Sequence, residues 1–206
     1  MSLEGWLVFA GFWVIFVTSP GPNAVNAILN GLTHGLPRAL FGVLGILTQA
    51  VLFLTLSAAG VTAQIAASPT AFFYARLLGA GVLIWLGLRG WLRARTPVAA
   101  EAAAPGRIYF GAFLIATVNA KSLAGYLAAF SQFVEPGVPI WEQMRLIFPT
   151  ALAITAASYT GYTLLGAWLG RLALGAVMHV RVRQVLAVCF VAYGVALLLA
   201  GGLRPV

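Results

Sequence analysis

Two short polar stretches interrupt long apolar segments of this 206-residue chain. The first, Ser19-Pro20-Gly21-Pro22-Asn23, lies near the middle of an apolar run over residues 6–33. Its prolines and glycine remove backbone donors and prevent a regular helix. The second, Asn119-Ala120-Lys121-Ser122, lies near the centre of the apolar segment 108–133. Backbone groups, amides and a lysine in such places provide donors and acceptors for a small polar solute.

The composition places both stretches inside a membrane protein. Hydrophobic residues make up 62% of the chain and charged residues 8%, with a mean hydropathy of +0.98. Soluble domains carry about 25% charged residues. A bilayer crossing needs about 20 residues, and the apolar segments of that order are 6–33, 39–63, 70–92, 108–133, 144–169 and 184–203. We therefore expect an all-α integral membrane protein with six transmembrane helices, of which the first and fourth are broken.

The same composition argues against other classes of protein. The net charge of +8 comes from basic residues scattered between apolar segments, so no nucleic acid partner is expected. Cys189 is the single cysteine, and neither a disulfide nor a cofactor is expected. The chain has no His-Glu-x-x-His motif, which argues against an enzyme. An intramembrane hydrolase that pairs Ser19 or Ser122 with Lys121 is kept as an alternative.

A break in the middle of a membrane helix has a physical consequence. The flanks of the first break, 7–17 and 24–32, are each too short to cross a bilayer alone. Lipid cannot satisfy the opened N–H and C=O groups, which must therefore face protein or a water-filled cavity, as in transporter substrate sites. Lys121 at mid-depth costs about 2.5–3.5 kcal/mol on insertion scales, so it is expected to face a cavity or a partner. It could hold a substrate carboxylate, cap the carbonyls opened at the first break, or take part in proton coupling. A packed proline kink that binds nothing is the alternative interpretation.

The two halves of the chain match each other. Arg76 is followed eleven residues later by Gly87, and Arg183 eleven residues later by Gly194. With three crossings per half the second copy must be inverted, and inverted repeats with broken first helices are typical of secondary transporters. We predict a single transmembrane domain over 1–206, with repeat 1 at about 1–92, a linker at about 93–107 and repeat 2 at about 108–206.

The distribution of arginine predicts the orientation in the membrane. Loops rich in lysine and arginine face the cytoplasm, and eight arginines lie on one side against three on the other. The eight are Arg38, Arg89, Arg93, Arg95, Arg107, Arg171, Arg181 and Arg183, and the three are Arg76, Arg145 and Arg204. The linker is therefore expected in the cytoplasm and both termini outside it. Residues 1–4 carry no basic side chain, so no removable signal peptide is expected.

Several motifs resemble those of a known family. Ser19–Asn23, followed by Gly31-Leu32-Thr33-His34-Gly35, is similar to the first-helix signature of the LysE-type (lysine exporter, RhtB-like) amino-acid exporters. Asn119-Ala120-Lys121 resembles the Asn-Pro-Lys of that family's fourth helix, and Phe130-Ser131-Gln132-Phe133-Val134 resembles the Phe-Pro-Gln-Phe-Val/Ile that follows it. Trp85-Leu86-Gly87 at the end of the third segment also fits, so the resemblance covers nearly the whole chain.

The resemblance implies six helices, an internal repeat, and export of amino acids or close derivatives across the bacterial inner membrane by the proton-motive force. The expected partners are then an amino acid, the lipid bilayer and protons as the coupling ion, and a homodimer is one option for the assembly. Two departures stand out. Ala120 replaces the family's proline, which predicts a gentler second break. Ala156-Ala157-Ser158-Tyr159 stands where many members carry an acidic residue, so the coupling residue is not assigned.

The residue types favour a neutral amino acid as substrate. Glu4, Glu101, Glu135 and Glu142 all lie in predicted loops or termini, so no mid-depth carboxylate is available for a cationic side chain. Lys121 and the N-termini of half-helices suit a carboxylate, while open carbonyls and the asparagines suit an ammonium group. The predicted substrate-binding residues are Ser19, Pro20, Gly21, Pro22, Asn23, Gln49, Asn119, Lys121, Ser122 and Tyr159. A metal-ion or other small-solute exporter of the wider superfamily is the alternative.

Overall fold

The computed structural model describes residues 2–60, 69–95, 103–134, 138–172 and 176–199. These ranges contain helices and no strand, which confirms the predicted all-α class. The helices are α1 (Leu3–Thr18), α2 (Pro22–His34), α3 (Leu36–Ala58), α4 (Pro69–Leu92), α5 (Pro105–Thr117), α6 (Ala120–Phe133), α7 (Ile140–Arg171) and α8 (Ala176–Leu199). Residues 96–102 of the predicted linker lie outside the described ranges.

Both predicted interruptions are present. α1 ends at Thr18 and α2 begins at Pro22, with a bend of 58° between them. Proline suits the first turn of α2, where its missing N–H would have no intrahelical partner. The second interruption falls between α5 and α6, where the side chain of Asn119 caps α6 by accepting a hydrogen bond from the backbone N–H of Lys121.

The predicted start of the last segment is wrong. α8 begins at Ala176, so residues 178–183, expected as a connecting loop before the segment 184–203, are helical instead. No proline or glycine occurs between residues 176 and 193 to stop the helix. Arg183 is moreover anchored on the neighbouring helix, because its guanidinium donates to the carbonyl oxygens of Arg93 and Ala94 at 2.8 and 3.0 Å.

Glycines set the distances between several helices. A Cβ on Gly31 of α2 would lie 2.2 Å from the carbonyl oxygen of Thr163 on α7, and one on Gly166 of α7 would lie 2.1 Å from that of Ile28 on α2. Gly45 of α3 approaches the carbonyl oxygen of Tyr109 on α5 in the same way, at 2.3 Å. Such backbone-to-backbone packing through small residues is common between membrane helices.

The α4–α8 contact has matching halves. Gly87 of α4 lies against Ala187 and Val191 of α8, and Gly194 of α8 lies against Ala80 and Ile84 of α4. Ala80, Ile84 and Gly87 have the same spacing in sequence as Ala187, Val191 and Gly194. Each helix therefore presents the same pattern of side chains to the other.

The outer surface of the helices is apolar. Large side chains of α4 that are about half or more exposed include Leu77, Leu78, Trp85, Leu88 and Leu92, as expected where a surface faces lipid. By length and composition, α3 is able to cross a membrane, and α1 with α2 qualifies as a second, bent span among the described residues. The fold thus fits a membrane protein.

Candidate functional site

The two breaks meet through their asparagines. The side-chain nitrogen Nδ2 of Asn119 lies 3.4 Å from Oδ1 of Asn23, and both residues are 4% exposed. A side-chain hydrogen bond also links Asn23 to Tyr159 of α7. The start of α2, the start of α6 and the middle of α7 therefore converge on one polar centre inside an apolar bundle.

Lys121 joins the second break to the first. Its Nζ donates a hydrogen bond to the carbonyl oxygen of Ser19 at 2.6 Å and lies 5.4 Å from the ring centroid of Phe16. Gly21 leaves room for this approach, since a Cβ there would lie 3.3 Å from Cδ, a tight contact, and 3.5 Å from Nζ of Lys121, an ordinary one. The ammonium group thus lies at the carbonyl end of α1, where the helix dipole favours a positive charge.

The carbonyls left open at the end of α1 are bonded by side chains. The hydroxyl of Ser19 donates to Phe16, Ser158 donates to Val17 at 3.4 Å, and Tyr162 donates to Thr18. Together with Lys121 on Ser19, these donors bond the four carbonyls that a helix end leaves without intrahelical partners. Of these donors, Ser158 was not predicted as a site residue, and Tyr162 was predicted only as a neutral polar contact. Their spacing of four residues on α7 places them on one face and was the available signal.

The start of α2 differs from the end of α1, because it offers backbone N–H donors instead of carbonyl acceptors. Gly21 at its N-cap supplies no side-chain cap, and Pro22 has no N–H. The N–H groups of Asn23 and Ala24 are then the first of α2, where a helix has no intrahelical acceptor for them. With the Lys121 ammonium group nearby, this corner suits a carboxylate.

Aromatic rings close the space beside the breaks. The ring of Tyr126 on α6 lies 5.1 Å from Trp13, 5.4 Å from Phe53 and 6.3 Å from Phe16, measured between centroids. Trp13 is fixed in turn, since its indole N–H donates to Oγ1 of Thr155 on α7 at 3.0 Å. Trp13, Phe16, Phe53 and Tyr126 therefore form one aromatic cluster beside the breaks.

Comparisons with known proteins identify the family of the chain. The family model described as LysE type translocator matches residues 14–201. The chain belongs to the LysE type translocator family.

This translocator is 33% identical over 175 residues to an uncharacterized membrane protein of Vibrio cholerae, covering 83% of the chain and 85% of the relative. It is 27% identical to a homoserine/homoserine lactone efflux protein of Salmonella typhimurium, with 80% and 82% covered. It is 28% identical to a leucine efflux protein of Salmonella choleraesuis, with 79% and 78% covered. No solved structure matches the chain.

Nine of the ten predicted site residues of the translocator lie at the breaks or next to them, and the tenth, Gln49, lies on α3. The structure joins the breaks through Ser19, Asn23, Asn119 and Lys121, with Tyr159 bonded to Asn23. Pro20, Gly21 and Pro22 form the link from α1 to α2, and Ser122 is buried in the first turn of α6. Gln49 lies on α3, 2% exposed, and its Nε2 has no hydrogen-bond partner among the described residues.

His34 ends α2, just past the apolar run 6–33. Burial lowers the pKa of its imidazole, and the charges of Arg38 and Arg107 lower that pKa further. Both effects favour the neutral imidazole. In the described part of the translocator, no three His, Cys, Asp or Glu side chains are grouped as metal ligands would be.

Proposed function

We propose that this protein is a secondary transporter that exports neutral amino acids, or close derivatives, from the bacterial cytoplasm in exchange for protons. The observation that carries the proposal is the meeting of two broken helices at Asn23, Asn119 and Lys121. Broken half-helices that meet inside a bundle are how many transporters hold a small charged solute. Membership of the family, and relatives named for homoserine and leucine efflux, support the same function.

A neutral substrate follows from the charges near the breaks. Of the acidic residues that the structure describes, Glu4 and Glu142 are exposed in the first turns of α1 and α7. Lys121 and the first N–H groups of α2 favour a carboxylate, and the asparagine side-chain oxygens accept from an ammonium group. A cationic side chain would add a second positive charge beside Lys121 with no carboxylate to balance it.

The proposed architecture has six crossings in two inverted repeats. α1 with α2, and α5 with α6, each form one broken crossing, and α3, α4, α7 and α8 form the others. The reciprocal contacts of Gly87 and Gly194 support this arrangement, because a twofold axis between α4 and α8 would produce matching pairs. The excess of arginine on one side supports a cytoplasmic position for the linker 93–107.

The orientation is tested with two single cysteines on a Cys189→Ser background. Ala104→Cys lies on the linker side and Leu3→Cys on the opposite side, and both positions are exposed. In intact cells a membrane-impermeant thiol reagent is expected to label Leu3→Cys and not Ala104→Cys. Permeabilised cells should label both. The reverse pattern in intact cells would contradict the proposed topology.

Transport itself is tested with the purified protein in proteoliposomes. We expect counterflow of radiolabelled leucine or homoserine and little or none of lysine and arginine. An imposed pH gradient should drive accumulation, and a protonophore should abolish it. If none of the twenty amino acids or homoserine shows counterflow, the proposed function is wrong. Counterflow without any effect of the pH gradient would overturn proton coupling alone.

A further inference from the structure

A second polar space lies on the arginine-rich side of the breaks. It is a cavity of about 240 Å³ between α2, α4 and α8. Its charged lining consists of Arg89 from α4, Arg93 just after the end of α4, and Arg183 from α8, and none of the described acidic residues lines it. We call this cavity the arginine vestibule.

The arginines of the vestibule are held in place. Arg183 donates to the carbonyl oxygens of Arg93 and Ala94 at the end of α4, at 2.8 and 3.0 Å. The guanidinium of Arg89 lies 5.0 Å from the ring centroid of Trp85, within the range of a cation–π contact. Side chains positioned before a ligand arrives lose less conformational entropy when they bind it.

A buried amide in the lining also points to a ligand in this cavity. Asn26 lines the vestibule at 8% exposure, and its Nδ2 has no hydrogen-bond partner among the described residues. A buried donor without a partner is costly, by about 1–3 kcal/mol. The Nδ2 of Asn26 and the guanidinium N–H groups are donors that match an anionic acceptor. Asn30, Thr33 and His34 complete the polar lining.

Apolar side chains of the lining lead toward the breaks. Leu29, Leu86, Ile115 and Phe190 complete much of the wall. Asn26 follows Asn23 by one helical turn on α2, and Ile115 comes one turn before Asn119. An engineered cavity of about 150 Å³ holds benzene, so this one is large enough for a small aliphatic amino acid.

We propose that the arginine vestibule binds the carboxylate of the transported amino acid before it reaches the broken helices. This inference rests on the proposed export function and narrows its substrates to aliphatic amino acids with a free carboxylate. The Arg89 guanidinium and the Asn26 amide hold the carboxylate, and the apolar wall contacts the side chain. The substrate is bound a first time here and a second time beside Lys121.

The test compares leucine with leucinol, which has the same side chain but no carboxylate. Both affinities are measured on purified protein in nanodiscs of neutral lipid, for wild type, Arg89→Gln and Arg171→Gln. Arg171 is the matched control, an exposed arginine at the end of α7 that does not line the vestibule. We expect Arg89→Gln to weaken leucine binding about tenfold, since a hydrogen bond to a charged group is worth about 1.5–3 kcal/mol. Leucinol binding and the Arg171→Gln affinities should not change.

Transport kinetics separate this inference from the proposed function. Arg89→Gln should raise the KM for leucine counterflow about tenfold and leave the maximal rate within about twofold of wild type. Equal affinity of wild type and Arg89→Gln for leucine, with counterflow intact, would overturn the vestibule site alone. Absence of counterflow in wild type would instead overturn the proposed function.

An anionic lipid headgroup could bind the same arginines as a carboxylate, so a separate experiment distinguishes the two ligands. Thermal stability is measured in nanodiscs with and without cardiolipin. If cardiolipin stabilises wild type but not Arg89→Gln, while leucine affinity is the same in both proteins, the vestibule holds a lipid phosphate and the inference is wrong. Loss of leucine affinity in Arg89→Gln without cardiolipin present supports the substrate site.

Discussion

Lys121→Met is expected to lower the affinity for a neutral amino acid by roughly 10- to 100-fold, with a matching loss of export. The estimate takes one hydrogen bond to a charged group as about 1.5–3 kcal/mol. Methionine keeps much of the volume and removes the cost of a half-buried charge, so the protein should still insert into the membrane. The measurement is the rise in melting temperature that leucine produces in purified wild type and variant.

A control variant distinguishes substrate binding by Lys121 from its hydrogen bond to the end of α1. Tyr162→Phe removes the donor to Thr18 but leaves the charge of Lys121 in place. If Lys121 binds substrate, Tyr162→Phe should lose stability without a comparable loss of leucine affinity. Lys121→Arg should recover little, because a planar guanidinium does not replace a compact ammonium group beside Gly21. Equal stabilisation of wild type and Lys121→Met by leucine would leave Lys121 with the capping role only.

Gly166→Ala is expected to destabilise the protein by about 3 kcal/mol, at the upper end of the usual cost of overpacking. The new Cβ would lie 2.1 Å from the carbonyl oxygen of Ile28, a backbone atom that moves only if α2 moves. For a protein of this size the expected fall in melting temperature is roughly 6–12 °C. Because α2 also carries Asn23, transport should fall with stability.

Gly161→Ala is the matched control on the same helix. A Cβ at Gly161 would meet nothing within 4 Å among the described residues. Alanine is favoured over glycine in a helix by about 1 kcal/mol, so this variant should be as stable as wild type or slightly more stable. A similar loss of stability in both variants would show that close packing of α2 on α7 is not the cause.

The breaks could be predicted because their cause is local. Proline and glycine act on the backbone wherever they occur, and Pro20, Gly21 and Pro22 end α1 and start α2 as expected. The second break needed no proline. Asn119 starts α6 by capping it, and this cap depends on the asparagine, which is present in Asn-Ala-Lys as it is in the family's Asn-Pro-Lys.

The partners of these residues could not be predicted, because they depend on distances between helices. Lys121 was expected to hold a substrate carboxylate or, alternatively, to cap carbonyls at the first break, and the structure shows its ammonium group bonded to the carbonyl oxygen of Ser19. Arg89, Arg93 and Arg183 were interpreted only as charges that set orientation. Their convergence on one cavity requires α8 to pack on α4 and to begin before Arg183, and the predicted loop at 178–183 hid this arrangement.

The bonded end of α1 has a consequence for how access can alternate between the two sides of a membrane. Ser158 and Tyr162 of α7 and Lys121 of α6 hold three of its last carbonyls. If α1 moved by itself, these three hydrogen bonds would break, and inside a membrane the oxygens would need new donors from protein or water. If the protein alternates access as proposed, α1 is therefore expected to move together with α6 and α7.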